Sequence, residues 1–189
     1  MKDYRMAVES YANRKEDYLF HNQGPDHAKV IFENIFRTAE HHIRIAAESL
    51  WNDSVVNTSE YISAMSRFLD KQDTKLDILL IKVPEQQEII SKEFDNFYRF
   101  LYSHPAYRMG RVQIKCGNGK SFKDSESNVI HFTTADGRMY RLEDDTSIRA
   151  ATANFNDTSM TSGFEKLFDN VFNNDSIGLT TINLQTYFN

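Results

Sequence analysis

The stretch Val129-Ile-His-Phe-Thr-Thr-Ala-Asp-Gly-Arg-Met-Tyr-Arg-Leu142 contains two runs of alternating side-chain character, separated by Asp136-Gly137. An Asp-Gly pair between two such runs is the strongest short-range signal of a two-residue β-turn. The sequence therefore predicts a β-hairpin over 128–142. A third run of the same kind, over 148–155, predicts a strand beside this hairpin.

Several polar side chains fall on the predicted strands at alternate positions, and alternate residues of a strand point to the same face. On the first strand, Val129, His131 and Thr133 share a face. On the third, Thr152 and Asn154 share a face. If the strands are neighbours, an imidazole, a hydroxyl and a carboxamide lie within reach of one another, which makes His131, Thr152 and Asn154 candidates for a shared site.

Composition limits the class of protein. The chain has 189 residues, 40% hydrophobic and 13% aromatic, so it can bury a sizeable core, and we predict a single domain over 1–189 with a lead-in (1–24) and a tail (174–189). A net charge of −5 argues against broad electrostatic capture of nucleic acid. The single cysteine, Cys116, excludes an internal disulfide and a multi-cysteine zinc site, and we expect it to be a packing residue.

The sequence contains no apolar run long enough to span a bilayer, and its first residues lack the apolar segment of a signal peptide. We therefore expect a cytoplasmic protein without a membrane span.

Hydrophobic periodicity predicts strands and helices in alternation, which is typical of an α/β domain with a mixed β-sheet flanked by helices. Around the hairpin, the predicted elements are an irregular or partly helical lead-in, a helix over 26–39, a strand over 42–47, a helix capped by Thr58 or Ser59, a strand over 76–83, a helix over 85–102, a strand over 111–115, a helix capped by Thr158 or Ser159, and an edge strand or arm over 182–188. The glycine-rich segment 117–121 follows a strand but precedes no helix, so we interpret it as a surface turn rather than a phosphate-binding loop.

Two segments resemble the signature of the phospholipase D superfamily. The run Ala151-Thr-Ala-Asn-Phe155 resembles its Gly-Ser-x-Asn-Phe end, and the hairpin with His131 and Asp136-Gly137 resembles its His-x-Lys…Asp-Gly part. The element order over about 26–172 is also similar to one half of that fold. The resemblance implies an active site in which a His attacks phosphorus while Lys and Asn hold the phosphoryl oxygens, without metal or cofactor. It also implies a homodimer, because a second half supplies the general acid.

The His-x-Lys pair of that signature is incomplete in this sequence. Counting back from Asp136 places His131 at the Lys position and Val129 at the His position, whereas counting forward from His131 places Thr133 at the Lys position. Either count removes one residue that the chemistry requires.

Two functions therefore follow from the resemblance. The first is a non-catalytic protein, a pseudoenzyme, that binds a phosphate-bearing ligand or a partner protein at the former active site, and for which the resemblance suggests a role in bacterial defence. The expected ligand-binding residues are His131, Thr133, Arg138, Arg141, Thr152 and Asn154. The alternative is a metal-independent phosphodiesterase of the nuclease or lipase class, acting as a homodimer, with His131, Thr152 and Asn154 as catalytic residues.

Charged residues around the hairpin allow two interpretations. Arg138, Arg141 and Arg149 either form a phosphate clamp or neutralise the acidic run Glu143-Asp-Asp145, which itself has the composition of a solvated loop. For His42, next to His41 at the predicted junction of helix and strand, we expect a role at the helix end rather than metal binding.

Overall fold

A mixed β-sheet forms the centre of the protein. The computed structural model describes residues 1–51, 53–82, 96–117 and 129–188. Within these ranges one sheet contains eight strands: β1 (Phe20–Asn22), β2 (His42–Ala47), β3 (Lys75–Leu80), β4 (Val112–Cys116), β5 (His131–Ala135), β6 (Met139–Asp145), β7 (Ala150–Asn154) and β8 (Thr180–Thr181). Their order across the sheet is β1-β7-β6-β5-β2-β3-β4-β8. Strands β2, β3 and β4 are parallel and the other pairings are antiparallel, which confirms the predicted mixed α/β fold.

Helices cover both faces of this sheet. In the described part of the chain they are α1 (Lys2–Arg14), α2 (Gly24–Thr38), α3 (Ser59–Leu69), α4 (Asn96–Ser103), α5 (Pro105–Arg108), α6 (Thr158–Phe172) and α7 (Gln185–Phe188). The main core joins α1 to α5 with one face, which we call the inner face and which carries Ile43, Ile45 and Ala135. Helix α6 packs on the opposite, outer face, where Phe168 contacts Phe132.

The predicted hairpin is present, and its turn also fixes the start of β2. Asp136 and Gly137 both have positive φ angles (54° and 66°), as a type I′ turn requires. The Asp136 carboxylate accepts hydrogen bonds from the backbone N–H groups of Glu40 (2.6 Å), His41 (2.9 Å) and His42 (2.9 Å). Asp136 therefore ties the hairpin to the junction of α2 and β2.

Other boundaries follow from local capping. Thr58 caps α3 by accepting a hydrogen bond from the Tyr61 N–H, as predicted. Helix α6 is capped instead by Asp157, whose side chain accepts from the Met160 N–H at 2.9 Å, so the prediction of Thr158 or Ser159 was wrong by one or two residues. A carboxylate at this position satisfies a free N–H and interacts favourably with the helix dipole.

The ends of the chain differ most from expectation. The lead-in contains the long helix α1 and also β1, a strand that was not predicted. In the tail, the edge strand is β8, whereas 185–188 is helical, so the expected edge strand over 182–188 was wrong. Cys116 is buried in the main core, as predicted. Of the predicted helix over 85–102 only the end is described, as α4, and most of the glycine-rich turn lies outside the described residues.

None of the described helices combines the length and the apolar character that a membrane crossing requires.

Candidate functional site

Strand register brings four polar side chains together on the inner face. In the pairing of β5 with β6, His131 lies opposite Glu143 and Thr133 lies opposite Arg141. Residues directly opposite each other in an antiparallel pair point to the same face of the sheet. All four line a cavity of about 90 Å³ near the C-terminal end of β2, where ligand sites of open α/β sheets collect.

Arg141 is the most unusual residue of this cavity. It is only 3% exposed, and its guanidinium lies over the Phe32 ring, with Cζ 5.0 Å from the ring centroid. Its Nη2 is 3.6 Å from Glu143 Oε1, which is too long for a hydrogen bond. Among the described residues, neither Nε nor Nη2 of Arg141 has a hydrogen-bond partner. Burial lowers the pKa of Arg141, although the Glu143 carboxylate opposes this, and an arginine in proteins stays charged.

Two further polar atoms of the cavity are also unsatisfied within the described chain. They are Glu143 Oε1 and the Tyr61 hydroxyl, and both are buried. Burial raises the pKa of Tyr61, so its hydroxyl stays protonated. A buried polar group without a partner costs about 1–3 kcal/mol, and more when it is charged. Because unsatisfied donors and acceptors meet in one small space, the cavity has the chemistry of a site for a polar ligand.

His131 forms the edge of the cavity next to the end of β2. The Glu48 backbone N–H points at His131 Nε2 at 3.4 Å, and His131 Nδ1 lies 3.8 Å from Glu143 Oε2. Burial lowers the pKa of His131, against the opposing effects of Glu143 and Glu48. The neutral imidazole therefore predominates at pH 7. Since an N–H faces Nε2, we assign its proton to Nδ1, on the side of Glu143.

The loop after β2 closes the cavity. Asp53 lines it and forms an ion pair with Arg149, whose backbone adopts a positive φ of 52°. Asp53 Oδ1 also accepts hydrogen bonds from the N–H groups of Val55 (2.7 Å) and Val56 (3.0 Å). This carboxylate is therefore fully used in holding the loop and Arg149 in place.

A larger cleft of about 720 Å³ adjoins the cavity and shares His131, Glu143 and Thr146 with it. Val129 and Phe164 contribute apolar surface to this cleft. A group bound in the cavity can therefore belong to a larger molecule.

The predicted grouping of His131 with Thr152 and Asn154 is wrong. Strand β6 lies between β5 and β7, so the first and third strands are not neighbours. Thr152 and Asn154 lie opposite Leu142 and Tyr140, which places both on the outer face, away from His131. Their proposed roles in ligand binding or catalysis beside His131 therefore have no geometric basis in this sheet.

Asn154 has a structural role on the outer face. Its Nδ2 donates to Asp17 Oδ1 at 2.7 Å, and its Oδ1 accepts from the Asn156 N–H at 2.9 Å. It thus connects the lead-in to the turn before α6.

Of the three arginines in the clamp alternative, Arg141 and Arg149 line the cavity and Arg138 does not. Arg138 lies at the turn end of β6 and donates to the carbonyl oxygens of Phe155 (2.8 Å) and Thr38 (2.9 Å), so it does not line the cavity. Arg149 lines the cavity but pairs with Asp53. The alternative, neutralisation of the acidic run 143–145, holds within the described residues only for Arg141 with Glu143.

Glu143 and Asp53 line the cavity, although neither was predicted from the sequence to do so. Glu143 was assigned to a solvated acidic loop, yet its side chain is only 8% exposed. Extending the strand alternation from Met139 would have placed it on the same face as Arg141. No sequence pattern indicated Asp53, which reaches the cavity from a loop.

His42 does not have the expected role at a helix end. His42 is the first residue of β2, and its Nε2 lies 2.9 Å from Asp77 Oδ2. Across the described ranges, no group of three or more His, Cys, Asp or Glu side chains is arranged to hold a metal ion.

Comparison with known proteins identifies the fold. No protein-family profile matches the sequence, and no curated protein matches it. Among solved structures, NucT from Helicobacter pylori matches with a TM-score of 0.55 and 12% identity, over 84% of this chain and 97% of that chain. Phosphatidylserine synthase from Haemophilus influenzae Rd KW20 matches with a TM-score of 0.56 and 11% identity, over 90% of this chain and 41% of that chain. These two are phospholipase D-like folds, and the resemblance inferred from the sequence is confirmed at the level of the fold.

A third solved structure, TrmBL2, is described as an archaeal chromatin protein with a novel mode of DNA binding. It matches with a TM-score of 0.54 and 14% identity, over 91% of this chain and 60% of that chain. The chain thus spans less than two thirds of TrmBL2 and less than half of the phosphatidylserine synthase. Identities this low establish a shared fold alone.

Proposed function

We propose that this phospholipase D-like chain is a binding protein that holds the phosphate group of a ligand in the cavity of Arg141, without cleaving it. The observation that carries the proposal is the buried Arg141 guanidinium with two unsatisfied nitrogen atoms. An ion removed from water costs several kcal/mol unless hydrogen bonds and an opposite charge compensate for it. Glu143 supplies an opposite charge at 3.6 Å but no hydrogen bond, and a bound anion would supply the missing hydrogen bonds.

The shape of the guanidinium supports a phosphate or a similar oxyanion. Its planar set of N–H donors matches two oxygen atoms of such an anion at once. Thr133, opposite Arg141 in the sheet, and the Tyr61 hydroxyl offer further hydrogen bonds in the same cavity.

The size of the cavity limits what enters it. Pockets that enclose whole small-molecule ligands have volumes of about 300–1,000 Å³. At about 90 Å³, this cavity accommodates a single phosphate-sized group, and the remainder of the ligand would occupy the adjoining cleft.

The absence of cleavage rests on the residues next to the cavity. Val129, at the position of the nucleophile when residues are counted back from Asp136, has no functional group and lines the adjoining cleft. Asn154, which the family signature would place beside the phosphate, lies on the other face of the sheet. A covalent mechanism without its nucleophile retains only the residual rate from positioning and electrostatics.

Isothermal titration calorimetry with inorganic phosphate tests the proposal. We expect the wild-type protein to bind phosphate, and Arg141→Met to lower the affinity at least about tenfold, the loss of one charge-assisted hydrogen bond or more. Arg141→Lys, which retains the charge but not the planar donors, should have an intermediate affinity if Arg141→Met folds poorly.

Arg138→Met is the matched control. Arg138 lies in the turn that precedes the same strand, but it donates to backbone carbonyl groups outside the cavity, so this variant should lose stability and retain phosphate affinity. Absence of phosphate binding by the wild-type protein, or equal affinity of the wild type and Arg141→Met, would contradict the proposal.

A metal-independent phosphodiesterase is the second candidate, and one observation favours it. Neutral His131, the protonation state in which a histidine can attack phosphorus, lines the same cavity as Arg141. In that case hydrolysis of a model diester should continue in EDTA, stop in His131→Ala, and leave a phosphohistidine on His131 of denatured wild-type protein. Absence of turnover in all variants would support the binding protein.

A further inference from the structure

An acceptor and a donor face each other in the cavity, and neither is satisfied within the described residues. Glu143 Oε1 lies 3.6 Å from Arg141 Nη2, and the Glu143 side chain is only 8% exposed. An anion that binds Arg141 therefore places its oxygen atoms close to a buried carboxylate. Two oxygen atoms that carry negative charge and no proton between them repel each other.

The position of Glu143 is fixed by the strand and by its neighbours. It lies opposite His131 in the sheet, and its Oε2 is 3.8 Å from His131 Nδ1, the nitrogen to which we assign the proton. Oε2 is thus directed to His131, which leaves Oε1 on the side of Arg141. Because Oε1 can only accept, the ligand must bring its own donor to this point.

We infer that the cavity selects a phosphate group that carries a proton, and that Glu143 is the residue that determines this selectivity. The inference rests on the proposed function. Hydrogen phosphate offers oxygen atoms to Arg141 and a P–OH group to Glu143. Sulfate has a similar tetrahedral shape but has no proton at pH 7, and a phosphodiester has no P–OH group. The natural ligand would accordingly present a free or terminal phosphate rather than a phosphate within a chain.

Competing explanations predict different selectivity. If Arg141 and Glu143 only neutralised each other, neither phosphate nor sulfate would bind. If Arg141 attracted anions by charge alone, phosphate and sulfate would bind with similar affinity. A preference for phosphate that depends on Glu143 follows only when the carboxylate accepts a hydrogen bond from the ligand.

The test compares three anions by calorimetry at one pH and one ionic strength: inorganic phosphate, sulfate and dimethyl phosphate. We expect the wild-type protein to prefer phosphate to each of the others by at least about tenfold, because a site built around a ligand hydroxyl rejects analogues that lack it. In Glu143→Gln the ratio of phosphate to sulfate affinity should fall to about one, since the amide can donate to sulfate.

Asp144→Asn is the control, because Asp144 is an exposed acid adjacent to Glu143 that lines the adjoining cleft but not the cavity in which these small anions bind, and its ratio should match the wild type. Equal binding of phosphate and sulfate by the wild type, with both lost in Arg141→Met, would refute the selectivity and leave the proposed function intact. An unchanged ratio in Glu143→Gln would refute the role of Glu143. If none of the three anions binds to the wild-type protein, both proposals are refuted. Should Glu143→Gln not fold, the ratio measured on the wild type still decides the selectivity.

Discussion

Replacing Asp136 by alanine tests whether the aspartate of the Asp-Gly turn acts as a structural residue. Its carboxylate accepts three backbone hydrogen bonds, from Glu40 at Oδ2 and from His41 and His42 at Oδ1. These groups are partly exposed and water competes for them, so we assign about 1 kcal/mol to each bond, the value of a typical hydrogen bond rather than the about 1.5–3 kcal/mol of a buried bond to a charged group. Alanine also has to adopt the positive φ of 54°, which costs about 1 kcal/mol more. The variant should therefore lose about 4 kcal/mol of unfolding free energy.

Two related substitutions separate these contributions. Asp136→Gly removes the hydrogen bonds but adopts a positive φ without strain, so it should lose about 3 kcal/mol. Asp136→Asn tolerates the backbone angle and retains one acceptor oxygen for His41 and His42, so it should lose about 1–2 kcal/mol. Equilibrium unfolding in urea, with m-values that match the wild type, measures all three.

The unfolding free energy of Asp136→Gly decides whether the three hydrogen bonds stabilise the fold. A loss below about 1 kcal/mol in Asp136→Gly would show that the three hydrogen bonds contribute little, since their sum is the main contribution. Variants that remain folded should bind phosphate like the wild type, because Asp136 lies about 16 Å along the strand from His131 at about 3.3 Å per residue. Loss of phosphate binding in folded Asp136→Asn would refute a purely structural role.

Three further predictions concern the cavity and the assembly. Arg141→Met should lose about 3–5 kcal/mol of unfolding free energy, because it leaves the buried Glu143 carboxylate unpaired. The double variant Arg141→Met/Glu143→Gln should regain part of this loss in urea unfolding, and additive losses would show that Arg141 and Glu143 are not coupled. Because the pKa of His131 is lowered in the folded protein, the unfolded chain binds more protons between the folded pKa and about 6.5, and stability should fall as the pH drops through this window. His131→Gln should reduce that fall, and an unchanged pH profile of stability in the variant would contradict the prediction. The resemblance implies a homodimer with its interface near 128–156, so light scattering should give a dimeric mass. Ile148→Asp, which places a charge at an exposed apolar residue of this segment, should give a monomeric mass, and a wild-type protein that is monomeric at every concentration would contradict the prediction.

The sequence predicted those parts of the fold that depend on local patterns. Alternation alone placed β2 at 42–47, and Asp136-Gly137 placed the hairpin, because a type I′ turn needs two residues that accept positive φ angles. Both signals lie within a few residues of the structure that they determine. Strand β1 has no such signal, since its three residues become a strand only by pairing with β7, which lies far along the chain.

The cavity residues that depend on the register of the hairpin were predicted, and those that depend on longer connections were not. His131, Thr133 and Arg141 were identified and do line one cavity, because they depend on the register of a tight hairpin. Thr152 and Asn154 depend instead on the loop after β6, where the register between β6 and β7 shifts at Glu143 and Asp145. A shift of one residue moves every side chain of a strand to the other face, and the sequence does not fix that shift.

The contrast between fold and site shows how a chain can share the fold of the phospholipase D-like structures while His131 and Asn154 lie on opposite faces of its sheet. The run 151–155 continues to form a strand, and Asn154 holds the lead-in through Asp17, so this segment serves the packing of the outer face. The polar residues that can bind an anion come instead from β5 and β6, at the C-terminal end of β2 where α/β sheets commonly bind ligands. A fold constrains where a site forms but not which side chains occupy it. Arg141 and Glu143, rather than the residues of the family signature, are therefore the positions at which the function of this chain should be sought.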